Sequence, residues 1–153
     1  MVNPVTWQCK HFDDLTVHEL YSILQLRSEI FVVEQQCIFQ DMDGHDRVSH
    51  HVIGWKGNVL VAHTRLLPAG VTYEEQSIGR VVVKQSERAT GLGKELMEVS
   101  AAKSHELYGN KPIKIGAQLY LKNFYESLGY MQCSDVYDDV GIDHIKMIKQ
   151  PVL

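Results

Sequence analysis

The residues with the clearest chemical potential form one short stretch in the middle of the chain. They are Arg88, Ala89, Thr90, Gly91, Leu92, Gly93 and Lys94, between a valine-rich run and a helical pattern. The first turn of a helix has unpaired backbone N–H groups and about half a positive charge, so it attracts phosphate. Arg88 and Lys94 add full charges, and the glycines let the backbone approach a bulky polyphosphate. We call residues 88–94 the phosphate loop.

Other known loops fit this sequence less well. A dinucleotide-binding fingerprint needs a glycine three residues after the second glycine, where the chain has Leu96, which weakens that interpretation. A nucleotide-hydrolase loop needs glycine and a hydroxyl residue where the chain has Arg88 and Glu95, and is excluded. An EF-hand calcium loop is excluded too, because it needs glycine and glutamate where the chain has Asp46 and Val52.

Composition limits the class of protein further. The 153 residues suit one domain, residues 1–153, and a formal charge of −4 argues against a general nucleic-acid binder. No apolar run is long enough to predict a membrane span. Cys9, Cys37 and Cys133 match neither a disulfide framework nor a zinc spacing, so we expect a reducing cytoplasm.

The elements around the phosphate loop predict an α/β fold. Strands are predicted at residues 5–10, 52–56, 59–67, 77–84, 113–117, 130–136 and 144–149, and helices at residues 16–33, 91–108 and 119–128. The first helix should begin with a capping box at residues 16–19, and residues 34–48 should form a long polar loop. A helical crossover separates the strands at residues 77–84 and 113–117, so we expect them to be parallel neighbours.

Two motifs together resemble a known family. The pattern Arg-x-x-Gly-x-Gly follows the valine-rich strand, and a later helix carries Phe124, Tyr125, Glu126, Ser127, Leu128, Gly129 and Tyr130. This arrangement resembles the GNAT superfamily of acyl-CoA-dependent N-acyltransferases over nearly the whole chain. The resemblance implies the GNAT fold, a mixed and mostly antiparallel central sheet with helices on both faces.

The first half of the chain narrows the resemblance. Arg27 and the string Phe31-Val32-Val33-Glu34-Gln35 precede Asp41, Asp43, Gly44 and Asp46. This order resembles the ElaA-type subgroup of small bacterial acyltransferases. Acyl-homoserine-lactone synthases are similar in fold but longer, which makes them the weaker match.

The resemblance also implies a coenzyme site, with acetyl-CoA as the expected co-substrate. The amides of Arg88, Ala89, Thr90, Gly91, Leu92, Gly93 and Lys94 would hold the pyrophosphate, and Val81, Val82 and Val83 would pair their backbone with the pantetheine arm. Gln118 stands where many family members have asparagine and could hydrogen-bond the pantetheine through its own amide.

Acyl transfer to an amine needs a base, a polarised carbonyl and a proton for the departing thiolate. By resemblance Tyr125 is the candidate general acid, with Tyr120 as a weaker alternative. A free backbone N–H near Val82 or Val83 would polarise the carbonyl. The general base stays open between Glu34, which the subgroup string favours, and the histidines at positions 45 and 63.

The histidines and aspartates of residues 41–51 match no closed set of metal ligands, so we expect no metal. A solvated acidic loop that attracts a cationic acceptor is the favoured interpretation. The sequence thus predicts transfer of an acetyl group to a primary amine of a small molecule or peptide, without nucleic-acid or membrane partners and with a homodimer as a possible assembly. The alternatives are a nucleotide-phosphate enzyme that uses the same loop, and a non-catalytic acyl-CoA-binding module.

Overall fold

A computed structural model describes residues 4–151 of the chain. The strands are β1 Thr6–His11, β2 His50–Lys56, β3 Val59–Leu67, β4 Gln76–Val83, β5 Ile113–Gln118, β6 Met131–Gln132, β7 Tyr137–Asp139 and β8 Ile142–Lys149. The helices are α1 Val17–Arg27, α2 Leu92–Tyr108 and α3 Lys122–Ser127. The predicted domain, residues 1–153, extends beyond the described residues at both ends.

These strands form one mixed sheet in the order β1-β2-β3-β4-β5-β8-β6, and β7 also pairs with β8. Every neighbouring pair is antiparallel except β4 and β5, which are parallel. One apolar core includes Leu96 and Met97 of α2, and a second includes Ile23 and Leu26 of α1. The predicted fold class is therefore confirmed, with helices packed on both faces of a largely antiparallel sheet.

The parallel strands β4 and β5 separate soon after they pair. Their register comprises only Gln76 with Ile113 and Ser77 with Lys114. A bulge distorts β4 further on, where Arg80 adopts a φ of 48° and the pairing to β3 shifts register. The second half of β4 consequently has no β5 partner, so its backbone edge is open to a ligand.

Helix α1 begins at the predicted capping box. Thr16 Oγ1 accepts a hydrogen bond from Glu19 N at 3.1 Å, and Glu19 Oε1 accepts one from Thr16 N at 2.9 Å. The α-helical part ends at Arg27, and Ser28–Glu34 continues as a π-helix before the long loop. The wider π turn brings Glu34 to the end of a helical segment.

The strand predicted at residues 130–136 is wrong in its extent. Only Met131–Gln132 pairs with β8 there, and Tyr137–Asp139 forms a separate hairpin strand with β8. The physical reason lies at Ser134, whose Oγ accepts the Lys146 N–H at 2.8 Å. A side chain thus takes the place of a backbone partner and interrupts the ladder.

Candidate functional site

A cleft of about 910 Å³ lies where β4 and β5 separate. At one end it is lined by the phosphate loop, including Arg88 and Gly93, and at the other by Tyr73 and Tyr137. Tyr125 also lines it. The structure therefore brings the predicted coenzyme and catalytic residues to one cleft, except for Thr90 and Leu92, which do not line it.

The phosphate loop presents the open helix end that the sequence predicts. Gly91 is the N-cap of α2, has a φ of 84°, and makes no side-chain cap hydrogen bond. A Cβ added at Gly91 would meet nothing within 4 Å, so the space in front of it is open. Because the first N–H groups of a helix lack intrahelical partners, this turn can donate to a phosphate.

The members of the loop differ in their orientation. Ala89 and Lys94 line the cleft, and Ala89 adopts a φ of 63°. Leu92 is buried in the core beneath the loop. The Thr90 hydroxyl donates to the Glu87 carbonyl at 2.7 Å, so it stabilises the turn internally. Leu92 and Thr90 can thus contribute to an anion site only through their backbone.

Arg88 contacts two other predicted site residues. Its Nη2 lies 2.8 Å from Glu34 Oε2, and its Nε donates to the Val83 carbonyl at 3.4 Å. Glu34 belongs to the π-helical segment on the opposite wall of the cleft. The ion pair therefore connects the candidate base to the candidate phosphate ligand.

The three valines at the end of β4 serve both core and cleft. Val82 packs in the core on the α1 side, whereas Val81 and Val83 pack against the other core. Lys84 N donates to the Val61 carbonyl on β3 at 2.8 Å. Because backbone groups of successive strand residues point to opposite edges, the Val83 N–H and carbonyl face the open edge. Val83 is thus better placed than Val82 to donate to a bound carbonyl.

Tyr125 lies inside the cleft wall at 4% relative exposure, in edge contact with Phe124 and Tyr130. Burial, with a smaller contribution from Tyr120, raises the pKa of the Tyr125 hydroxyl above its ordinary value. This hydroxyl therefore keeps its proton at neutral pH, as a general acid requires. Tyr120 is 73% exposed and lines the outer part of the cleft.

Gln118 ends β5 and pairs with Gln35 across the cleft. Gln118 Nε2 donates to Gln35 Oε1 at 3.3 Å, and Gln35 Nε2 donates to Gln118 Oε1 at 3.4 Å. Both residues line the cleft. A pantetheine arm that uses the Gln118 amide must share it with Gln35 or displace Gln35.

The three candidate bases lie in different places, two in the cleft and one in the protein interior. Glu34 and His45 line the cleft. His63 is fully buried, and its Nε2 lies 3.0 Å from Nδ1 of His51. Burial first, and then the nearby His51 and arginine charges, lower the pKa of His63 well below its ordinary value. Because His63 does not line the cleft, only Glu34 and His45 stay candidates.

The predicted solvated acidic loop is wrong in one respect, because arginines bind its carboxylates. Arg27 lies wholly buried, with Nε 2.8 Å from Asp41 Oδ2 and Nη1 2.7 Å from Asp46 Oδ1. Arg65 Nη2 lies 2.6 Å from Asp43 Oδ2. Burial alone would raise the pKa of Asp46, but the hydrogen bond and charge of Arg27 outweigh it and lower that pKa. The loop is anchored by ion pairs, so its charge is largely neutralised.

Within residues 4–151 no group of three or more histidine, cysteine or carboxylate side chains is arranged to hold a metal. Over the same range no helix has the length and apolar character needed to cross a membrane.

Comparisons with known proteins agree with this geometry. The profile of the acetyltransferase (GNAT) domain matches residues 24–151. The protein ElaA of Escherichia coli strain K12 is 39% identical over 150 residues, which cover 97% of this chain and 98% of ElaA. The chain belongs to the GNAT acetyltransferase family.

Two solved structures are similar to this GNAT chain over nearly its whole length. The crystal structure of Escherichia coli ElaA matches with a TM-score of 0.91, covering 96% of this chain and 100% of that chain. An acyl-CoA N-acyltransferase from Pseudomonas aeruginosa has the same TM-score at 40% identity, covering 95% and 99%. The predicted ElaA-like subgroup is confirmed, and membership supports an acyl-CoA-dependent N-acyltransferase.

The AHL synthase LasI has a TM-score of 0.79 but only 11% identity, covering 97% of this chain and 90% of that chain. This likeness shows a shared fold alone.

Sequence reasoning missed several residues of the cleft. Gln35 opposes Gln118, and Tyr73 and Tyr137 cover β5 at Gly116. The partners in these contacts are separated by many positions in the chain, so no local pattern predicts the contacts. Their proximity follows only from the sheet order.

Proposed function

We propose that this chain transfers an acetyl group from acetyl-CoA to a primary amine of a small molecule or peptide. One observation carries the proposal: the open edge of β4, the uncapped start of α2 and the Tyr125 side chain line the same cleft. An unpaired strand edge suits an amide-rich arm, and an uncapped helix start suits a diphosphate.

The residues present fit acetyl-CoA. The first-turn amides of α2 would hold the pyrophosphate, with Arg88 and Lys94 supplying charge. The open space at Gly91 admits the phosphate oxygens, and the unpaired backbone edge of β4 at Val81, Val82 and Val83 would pair with the pantetheine arm. The coenzyme supplies an activated thioester.

Glu34 would prepare the acceptor. A primary ammonium must lose a proton before its nitrogen attacks the thioester carbonyl, and the Glu34 carboxylate would take that proton directly or through water. Arg88 Nη2 lies 2.8 Å from this carboxylate. A pyrophosphate that attracts Arg88 would release Glu34, so coenzyme binding would prepare the base.

Tyr125 would complete the reaction. Once the new C–N bond forms, the nitrogen would lose its second proton to water. As the C–S bond breaks, the Tyr125 hydroxyl would donate its proton to the departing thiolate, and the Val83 N–H would stabilise the charge on the carbonyl oxygen. Solvent then returns a proton to Tyr125. The products are an N-substituted acetamide and the free thiol.

Calorimetric titration with acetyl-CoA, followed by thiol release with a panel of amines, tests this proposal. We expect acetyl-CoA to bind at least about tenfold more tightly than ATP or NAD, a free-energy difference of about 1.4 kcal/mol. Tighter binding of ATP or NAD would instead support a nucleotide-phosphate enzyme. Coenzyme binding with no thiol release from any amine would support a non-catalytic binding module.

A single domain over residues 1–153, a cytoplasmic location and a homodimer belong to the same proposal. The three cysteines are free, which suits a reducing compartment.

A further inference from the structure

A bridge crosses the cleft between its two ends. We define it as Gln35 and Cys37 on one wall, with Gln118 and Val140 on the other; all four line the cleft. The Gln35 and Gln118 amides exchange two hydrogen bonds at 3.3 and 3.4 Å. Cys37 Sγ lies 3.6 Å from the Val140 carbonyl. The two walls of the cleft therefore touch each other at the bridge.

The bridge is held firmly on the α1 side. Cys37 is buried, its N–H donates to the Val32 carbonyl at 3.1 Å, and its Sγ contacts the Gln35 carbonyl at 3.5 Å. Gln35 N donates to the carbonyl of Ile30, a core residue, at 3.1 Å. The bridge is thus an extension of the packed π-helical segment.

The other wall is held by a tight turn between β7 and β8. Val140 adopts a φ of 54° and Gly141 a φ of 81°, and Asp138 Oδ2 accepts the Gly141 N–H at 3.3 Å. Gln118 is fixed at its backbone by pairing with His144. Both ends of the bridge therefore rest on ordered backbone.

Two tyrosines form the end of the cleft beyond the bridge. The Tyr73 and Tyr137 hydroxyls hydrogen-bond each other above Gly116, where an added Cβ would lie 3.0 and 3.1 Å from them. Aromatic rings suit the methylenes of an aliphatic chain. Asp139, which makes no ion pair within residues 4–151, lines the same cleft, and the ammonium groups of Lys114 and Lys146 lie 5.4 and 5.7 Å from the centre of the Tyr73 ring. Charges of both signs are therefore present at this end.

We propose that the bridge makes the acceptor site a covered passage, which admits a primary amine on an unbranched methylene chain and excludes amines branched at the adjacent carbon. This inference rests on the proposed function. The amine must pass beneath Gln35 and Gln118 to reach a thioester beside Val83 and Tyr125. A branch next to nitrogen widens the acceptor at the point where the two walls meet.

The experiment compares n-butylamine with its isomer sec-butylamine in thiol release from acetyl-CoA. We expect kcat/KM to favour n-butylamine by at least about tenfold, which is the scale on which one misplaced carbon changes discrimination. Gln35→Ala, alone and with Cys37→Ala, should reduce this preference by raising the rate with the branched amine. Ile38→Ala, a fully exposed position in the same segment, is the matched control and should keep the preference.

A second readout does not depend on turnover. The products N-butylacetamide and N-sec-butylacetamide should bind the coenzyme-loaded protein with the same order of preference, measured by calorimetry. Equal rates and equal binding for the two isomers in the unsubstituted protein would overturn the passage, as would an unchanged preference in folded Gln35→Ala. Product discrimination without thiol release from any amine would keep the passage and reject the proposed function.

Discussion

Replacing Tyr125 by phenylalanine tests the proposed acid with little disturbance of the fold. The change removes one oxygen from a side chain that is 4% exposed and keeps the ring contacts with Phe124 and Tyr130. We expect kcat to fall about a hundredfold, or about 2.7 kcal/mol in the activation barrier, because a positioned acid contributes about 10²–10⁴-fold. The melting temperature should change by only a few degrees.

The pH dependence sharpens this expectation. Burial raises the pKa of Tyr125, so the hydroxyl stays protonated in the folded protein from pH 6 to pH 9. The ratio of kcat between the unsubstituted protein and the variant should therefore be constant over that range. Saturating steady-state rates of thiol release at each pH measure it.

Two neighbouring tyrosines provide controls. Tyr130 has a buried hydroxyl that finds no hydrogen-bond partner among residues 4–151, so Tyr130→Phe should preserve activity and leave stability equal or higher. Tyr120→Phe tests the weaker alternative acid. A loss of less than about threefold in Tyr125→Phe would refute the assignment, and a large loss in Tyr120→Phe would transfer it to that residue.

Three other changes examine the loop, the ion pairs and the buried histidine. Gly91→Ala should weaken acetyl-CoA binding at least about tenfold, as measured by calorimetry. The control Gly57→Ala also changes a glycine at positive φ, but in a remote hairpin turn, so it should cost only about 1 kcal/mol of stability and keep the affinity for acetyl-CoA. Equal affinities of the two variants would contradict the loop assignment. Arg27→Met leaves the carboxylates of Asp41, Asp43 and Asp46 paired with two arginines instead of three, because Arg65 and Arg80 stay in place. One buried negative charge is then uncompensated, so the change should cost about 3–5 kcal/mol in urea unfolding, and a loss below about 1 kcal/mol would show that the two remaining arginines suffice. The pKa of His63 is lower in the folded protein than in the unfolded chain, so the unfolded chain binds a proton at higher pH than the folded protein does. Stability should therefore fall as the pH drops below about 6.5, by up to about 1.4 kcal/mol per pH unit. His63→Gln should reduce that slope in urea unfolding between pH 6.5 and 5.5, and an identical slope would assign it to other groups.

The proposed coenzyme side was predicted from signals that are local in the chain. The phosphate loop is a contiguous segment, and the glycine, charge and strand pattern around it depends on neighbours in the chain. The parallel pairing of β4 and β5 followed from a helical crossover, which the structure contains. The capping box of α1 was likewise confirmed, since its two hydrogen bonds join residues three positions apart.

The acceptor side was less predictable because its contacts are long-range. Residues 41–46 suggested a free acidic loop, but Arg27 and Arg65 approach from α1 and β3. His63 looked available as a base until the fold buried it against His51. In each case the partner lies on another element, so composition and spacing could not reveal it.

The sequence by itself predicted the order of strands and helices from periodicity, and it proposed residues 88–94 as a phosphate loop from a motif of adjacent residues. The family followed from the resemblance of two motifs, and the comparisons confirmed it. Only the tertiary structure decided that Arg88 holds Glu34 and that Gln35 reaches Gln118. Those contacts form where β4 and β5 separate and where a π-helical segment reaches across the opening. Sheet order and strand divergence are properties of the whole chain, so no local pattern encodes which side chains meet in the cleft.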